Sequence, residues 1–299
     1  MRLPGLRPAD PIDVVAPSSP FDRRKFERGL EALRRIGLVP RFTDDLFDRH
    51  GHLAGTDQRR RRELEAAFRG DAKAVILARG GYGLLRFATH LQKPPEKILV
   101  GYSDATVLHE MFARAGIPSV HGPMLTQLGE DPEALARLRT LLMQPAPPEP
   151  IRWEPQAAEN EATVEGPLRG GNLASLASLC GTLLQPQLAG SLVVLEDLNE
   201  PPYKLDRLLT QLLLSRAFDR AKGFVIGDLT APGEDPAGRI ETVAERLRSL
   251  NVPLVFGAPF GHAGRNQPVA FGLRHRLDPG LGTLTQLEEL TWTSAPAST

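Results

Sequence analysis

One cysteine in 299 residues rules out an internal disulfide, and with it the cross-linked secreted folds that depend on one. Cys180 ends the run Leu173-Ala-Ser-Leu-Ala-Ser-Leu-Cys180 and reads as a buried packing residue. No window approaches the ~18 apolar residues that a membrane-spanning helix needs. Excess charge of either sign is also missing. The 36 basic and 36 acidic residues cancel, so no field of the whole chain favours nucleic acid or an anionic membrane. The N-terminal Met1-Arg-Leu-Pro-Gly-Leu-Arg-Pro8 lacks the apolar core of a signal peptide, and a cytoplasmic location is expected. Nor does the chain hold His-Glu-x-x-His, Gly-x-Gly-x-x-Gly or Gly-x-x-x-x-Gly-Lys-Ser/Thr, and His50 and His52 have no nearby third ligand. A metallopeptidase and a phosphate-binding fold are thereby disfavoured, and neither metal nor cofactor is expected. The run Arg59-Arg60-Arg61-Arg62 precedes Glu63-Leu-Glu65 and is expected to be a solvated helix face.

What is present in the first half is alternation. Ile12–Ala16, Leu38–Phe42, Ala74–Ala78, Ile98–Val100 and Ser119–Val120 read as strands. Between the first two, Phe26, Leu30 and Leu33 recur at helical spacing until Gly37, and a further helix is expected over Arg59–Phe68. Such alternation predicts parallel crossovers and a doubly wound sheet, with ligands bound at the carboxyl ends of its strands. Gln144-Pro-Ala-Pro-Pro-Glu-Pro150 can neither continue a helix nor sit in a central strand. The expected division is therefore an N-terminal doubly wound domain over 1–142, a proline-rich linker over 143–163, and a smaller α/β domain of swivelling type over 164–299. Helices from Asn172 and over Tyr203–Leu214, and strands at Leu192–Leu195, Phe224–Ile226, Leu254–Phe256, Val269–Phe271 and near Leu284, belong to the second. Ser294–Thr299 reads as a low-complexity tail.

Lys97-Ile-Leu-Val-Gly-Tyr-Ser103-Asp-Ala-Thr-Val-Leu-His-Glu-Met-Phe112 reads as a strand, a tight turn holding one serine, and an amphipathic helix. A serine there can expose its hydroxyl beside helix-start N–H groups able to face an oxyanion. Gly101-Tyr-Ser-Asp-Ala105 matches the Gly-x-Ser-x-Gly elbow only in part, and a plain serine N-cap is the competing reading. A serine nucleophile needs an imidazole base and an orienting carboxylate. His262 stands out because it lies in a glycine-rich loop straight after a buried-type strand. His109 is six residues beyond Ser103, so it faces the other side of that helix. His121 reads as structural, and His275, between two arginines, as part of a solvated face. Glu196 ends the apolar strand Leu192–Leu195, where a carboxylate is costly unless satisfied. Alternation turns its neighbour Asp197 to the other face, and Glu200, beside two prolines, reads as a turn or cap residue.

The order serine, glutamate, histidine is that of α/β-hydrolases, but here it spans two expected domains, so the three residues would meet at a domain interface. These segments together resemble the LD-carboxypeptidases, a serine peptidase family that includes murein tetrapeptide carboxypeptidases and microcin C immunity peptidases. The resemblance covers nearly the whole chain. It rests on Val14-Val-Ala-Pro-Ser-Ser-Pro20, Leu53-Ala-Gly-Thr-Asp57, Arg79-Gly-Gly-Tyr-Gly83, Gly101-Tyr-Ser-Asp-Ala-Thr106 and His121-Gly-Pro123. Gly170-Gly-Asn-Leu173, Leu195-Glu-Asp-Leu-Asn-Glu200, Asp206-Arg207 and Gly261-His262 complete it. At Pro268-Val-Ala-Phe-Gly272 the chain departs from the family's Leu-Pro-Leu-Gly-like run, outside the three candidate residues.

The resemblance implies Ser103 as nucleophile, Glu196 as carboxylate and His262 as base, as the residues themselves suggest. It also implies an oxyanion hole from the backbone N–H groups of Asp104 and Gly81. Arg79, Tyr82 and Arg265 are expected to bind substrate, with one of the arginines on a free terminal carboxylate. The implied substrate is a cytoplasmic muropeptide that loses a C-terminal D-alanine, and a homodimer without nucleic-acid or membrane partners is expected. Within the family, the same triad would serve a peptidase of aminoacyl-nucleotide antibiotics. From another class, Gly80-Gly-Tyr-Gly83 after a strand would suit a non-catalytic nucleotide- or sugar-binding protein.

Overall fold

The alternating strands of the first half form a six-stranded sheet. Its order is Val269–Phe271, Ser119–His121, Ile98–Gly101, Ala74–Leu77, Pro11–Val15, Val39–Arg41. The five strands from the first half pair in parallel. Ala74–Leu77 and Ile98–Gly101 are buried throughout, as central strands covered on both faces must be. The computed structural model describes residues 1–229 and 236–292; the Ser294–Thr299 tail lies outside them. Helix Arg23–Arg35 starts at Asp22, whose carboxylate accepts from the Lys25 N–H, and buries Phe26, Leu30 and Leu33. Helix Asp57–Arg69 starts at Thr56, whose hydroxyl accepts from the Arg59 N–H.

Two of the arginines on that helix correct the expectation of a solvated face, since Arg59 and Arg60 are buried. Arg59 Nη1 donates to the carbonyls of Ala16 and Ala54 at 3.1 and 2.9 Å. Arg60 donates to the Pro17 carbonyl and the Asp57 carboxylate. Both are held inward, by the loop carbonyls of Ala16, Ala54 and Pro17 and by the Asp57 carboxylate. Only the other two arginines of the run, Arg61 and Arg62, keep access to water.

The second sheet has eight strands, in the order Ile151–Arg152, Thr283–Gln286, Arg274–Asp278, Val164–Asn172, Leu192–Glu196, Gly223–Ile226, Leu254–Phe256, Ala158–Glu159. Val164–Asn172 through Leu254–Phe256 run parallel, and the flanking strands pair antiparallel. Leu176, Val193, Leu209, Phe218, Phe224 and Phe256 lie in one buried cluster with helix Pro202–Leu214. Cys180, half-buried, packs at the margin of that cluster with its thiol 3.2 Å from Ser215 Oγ. His275 is a second correction. In Arg274–Asp278 it points inward, fully buried, while Arg274 and Arg276 reach out to Glu165.

Two compact units emerge. One holds Met1–Pro148, Pro268–Ala270 and Glu288–Thr299; the other holds Glu149–Gln267 and Phe271–Leu287. This differs from a contiguous division. Part of the expected linker forms the strands Ile151–Arg152 and Ala158–Glu159 of the second sheet. Late residues also return to the first unit, where Thr291–Trp292 pairs in parallel with Leu3–Pro4. Strands this short show no readable alternation, and their partners lie far along the chain. No helix among the described residues is long and apolar enough to cross a membrane.

Candidate active site

The nucleophile candidate sits where strand Ile98–Gly101 ends. Tyr102 is extended, a 3₁₀ turn covers Ser103–Ala105, and helix Thr106–Arg114 follows. Ser103 has φ 62°, the left-handed region that costs a non-glycine residue about 1–3 kcal/mol. Its side chain caps neither the turn nor the helix, so the N-cap reading has no hydrogen bond behind it. Strain of this kind on a serine between strand and helix is the elbow that lifts a hydroxyl clear of the sheet. Gly80 shows what the elbow demands of its neighbour. A Cβ there would stand 2.9 Å from Ser103 Cβ and 3.0 Å from its Oγ, so only glycine lets the Arg79–Gly83 loop approach.

His109 and Tyr102 support the turn from beneath. The buried His109 ring bonds the Gly101 carbonyl through Nε2 at 2.9 Å and Ser119 Oγ through Nδ1 at 2.8 Å. Nε2 must be the donor there, which leaves Nδ1 to accept from the serine hydroxyl. Burial depresses its pKa to about 4 against the opposing Gly101 bond, so the ring stays neutral and structural. Buried Tyr102 accepts from Gln127 Nε2 at 2.6 Å and meets the buried ring of His121 edge-on.

In the second unit, strand register sets Leu195 opposite Gly171 and Glu196 opposite Asn172. Glu196 is fully buried, and its Oε2 lies 2.8 Å from His262 Nδ1. Its Oε1 has no hydrogen-bond partner among the described residues, so the imidazole is what offsets the cost of burying this carboxylate. With Nδ1–H donating to Glu196, Nε2 carries the lone pair and can accept a proton. Burial works to lower the His262 pKa. The Glu196 hydrogen bond and charge, with the charges of Asp197 and Asp228, outweigh it and hold the imidazole above its usual 6.5. Gly261 presses the loop onto this pair. At φ 122°, a Cβ there would lie 2.7 Å from Asp228 Cβ and 3.2 Å from Glu196 Oε2.

Asp197 does other work. It accepts from Asn172 Nδ2, the Ala174 N–H and the Leu198 N–H at 3.1, 2.8 and 2.8 Å. Burial first, then the neighbouring Glu196 charge, pushes its carboxyl up to about 6. Glu200 pairs with Lys204 at 3.3 Å, one turn along. Of the two rivals to Glu196, neither bonds the imidazole.

The candidate binding residues are less closely held. Arg79 is exposed and donates to the Pro20 carbonyl at 2.5 Å. Tyr82 is 51% exposed beside the His52 ring, 5.8 Å between centroids. Exposed Arg265 lines a cavity of about 530 Å³ in the second unit with Trp153, Asp228, Arg239 and Phe260. Asp228 is the residue that sequence reasoning passed over. Its signal was available, an aspartate just past the carboxyl end of the apolar strand Gly223–Ile226. No group of three or more metal-ligating side chains clusters among the described residues.

Comparison with known proteins places the chain. Models of the LD-carboxypeptidase N-terminal and C-terminal domains match residues 12–122 and 165–277. The murein tetrapeptide carboxypeptidase of Pseudomonas aeruginosa is 34% identical over 283 residues, 88% of this chain and 92% of its own. The microcin C7 self-immunity protein of Escherichia coli is 25% identical, with 88% of each chain covered. The crystal structure of muramoyltetrapeptide carboxypeptidase from Oxalobacter formigenes superposes with a TM-score of 0.78 at 28% identity, covering 92% of this chain and 97% of that one. These matches show that the chain belongs to the LD-carboxypeptidase family of peptidases.

Proposed function

We propose that this protein is a serine-type LD-carboxypeptidase that removes a C-terminal D-alanine from muropeptides. Ser103 Oγ attacks the carbonyl before the terminal residue while His262 Nε2 takes its proton. Glu196 orients the imidazole and stabilises the imidazolium. The N–H groups of Asp104 and Gly81 meet the negative charge on the tetrahedral oxygen. His262 then returns the proton to the leaving amine, D-alanine departs, and water activated by the same imidazole hydrolyses the ester on Ser103. Arg79, Tyr82 and Arg265 bind substrate in this reading. The enzyme works in the cytoplasm as a homodimer, with its nucleophile in the unit built mainly on Met1–Pro148 and its base and carboxylate in the unit built mainly on Glu149–Gln267.

One observation carries the proposal: a fully buried carboxylate whose one side-chain hydrogen bond among the described residues goes to the ring of His262, at 2.8 Å. The relative named murein tetrapeptide carboxypeptidase supports the muropeptide. The relative named microcin C7 self-immunity protein supports a second reading, hydrolysis of an aminoacyl-nucleotide by the same triad. Incubation with a muropeptide tetrapeptide and with a processed microcin C analogue, followed by mass spectrometry, separates them. Loss of D-alanine from the tetrapeptide is expected. Cleavage of the analogue alone would move the assignment to the second substrate, and cleavage of neither would favour a non-catalytic ligand-binding protein.

A further inference from the structure

The residue after the nucleophile candidate has a side chain that the mechanism above leaves unused. Asp104 is buried, and one of its oxygens, Oδ2, accepts two hydrogen bonds. Ser18 Oγ donates at 2.6 Å and the Leu84 N–H at 2.9 Å. These donors belong to two other loops, one after strand Pro11–Val15 and one after strand Ala74–Leu77. The same loops are stitched to each other. The Ser19 N–H donates to the Gly80 carbonyl at 3.1 Å, and the Tyr82 N–H donates to Ser19 Oγ at 3.2 Å. From behind, Arg60 holds the Pro17 carbonyl and the Ala54 N–H holds that of Ser18.

We propose that the Asp104 carboxylate and Ser18 are positioning residues that fix the Gly80–Leu84 loop against the nucleophile turn, so that the two oxyanion donors stand ready before substrate arrives. The proposal rests on the serine-peptidase reading. In that reading the donors are the N–H groups of Asp104 and Gly81, which sit on separate loops, with helix Leu85–Ala88 and strand Ile98–Gly101 between them in the chain. An oxyanion hole accelerates reaction only if its donors need no reorganisation. A side chain at 104 that grips residue 84, three positions beyond Gly81, ties one donor to the other through a few bonds.

The electrostatics suit a permanent tie. Burial raises the Asp104 carboxyl to about 6, opposed by the bonds from Ser18 and Leu84 and by the charge of Arg60. At neutral pH the group is therefore ionised and both bonds are charge-assisted. Among the described residues, the charged side chain acting on it is Arg60, itself paired with Asp57.

Steady-state kinetics on the tetrapeptide, for wild type, Ser103→Ala, Ser18→Ala, Asp104→Asn, Asp104→Ala and the Ser18→Ala/Asp104→Ala double variant, tests this. Asp104→Ala should lower kcat on the order of 10²-fold with KM within about twofold, the scale of losing one oxyanion donor. Asp104→Asn, which keeps an oxygen for both donors, should recover most of that loss. The double variant should be no slower than Asp104→Ala, because both changes cut one junction. An inactive wild type, or an active Ser103→Ala, would defeat the serine-peptidase reading instead. With those two controls in order, an Asp104→Ala enzyme of near wild-type kcat, equal damage from Asn and Ala, or additive losses in the double variant would overturn the positioning role. Should Asp104→Ala not fold, Ser18→Ala decides: a roughly tenfold fall in kcat at unchanged KM supports the role, and an unchanged kcat refutes it.

Discussion

Replacing the Ser103 hydroxyl removes the proposed nucleophile and no capping bond, so Ser103→Ala should fold and bind peptide normally. Its kcat is expected to fall by on the order of 10⁴–10⁶, and turnover like that of wild type would end the serine mechanism. Glu196→Gln keeps the shape but strips the charge that stabilises the imidazolium, with an expected loss of about 10³–10⁴ in kcat and little change in KM. Asp197→Asn should instead act on stability. It leaves the Ala174 N–H facing an amide, at a cost of about 1–3 kcal/mol in chemical denaturation. A larger kinetic effect from Asp197 than from Glu196 would reverse their roles. Because the folded protein holds His262 above 6.5, kcat/KM should rise with pH along a limb centred above that value, as the imidazole loses its proton. Glu196→Gln should move that limb down. Much at this scale is legible in the sequence, since a carboxylate ending an apolar strand and a histidine in a glycine-rich loop each lack an ordinary structural reason. The Ser18–Asp104 bond is not, because 86 residues separate its partners and each alone reads as an ordinary turn residue.

Helix Asp57–Arg69 carries a group whose titration should be visible in the stability of the fold. Burial pushes the Glu63 carboxyl up to about 7, against Arg59 and the Ala16 N–H, which it accepts at 2.7 Å. The folded state therefore keeps a proton that the unfolded chain has released, and stability falls as pH rises from about 4.5 to about 7. Across that window wild type should lose as much as about 3 kcal/mol relative to Glu63→Gln, measured by urea unfolding at pH 5 and pH 8. A difference between the two that does not change with pH would contradict the burial argument. Elements themselves divide by how much of their pattern is local. The all-apolar Ala74–Leu77 and the capped, periodic helix Arg23–Arg35 announce themselves. Arg274–Asp278 hides its alternation because arginines flank a histidine that the fold buries. The inward turn of Arg59 and Arg60 depends on loop carbonyls that no helical pattern reveals.

At the scale of the whole molecule, the chain leaves the first unit, builds most of the second, and returns twice. Strand Val269–Phe271 lies beside Ser119–His121, and Thr291–Trp292 pairs with Leu3–Pro4. A chain ended after Gln267 should therefore be cleaved faster by protease than the full-length protein at residues near Ser119–His121, whose edge it leaves bare. Equal protection in both would mean that the late strands add nothing to the first unit. The same threading sets a timetable on the ribosome. Residues 1–148 emerge early, yet Leu3 meets its partner only after Thr291 has been made and has left the exit tunnel. Until then a nascent chain carries an open sheet margin, and holding chaperones have something to bind. Ribosome stalling anywhere before residue 291 would thus leave Leu3–Pro4 without the strand it waits for, because Thr291–Trp292 close a structure begun by Leu3–Pro4.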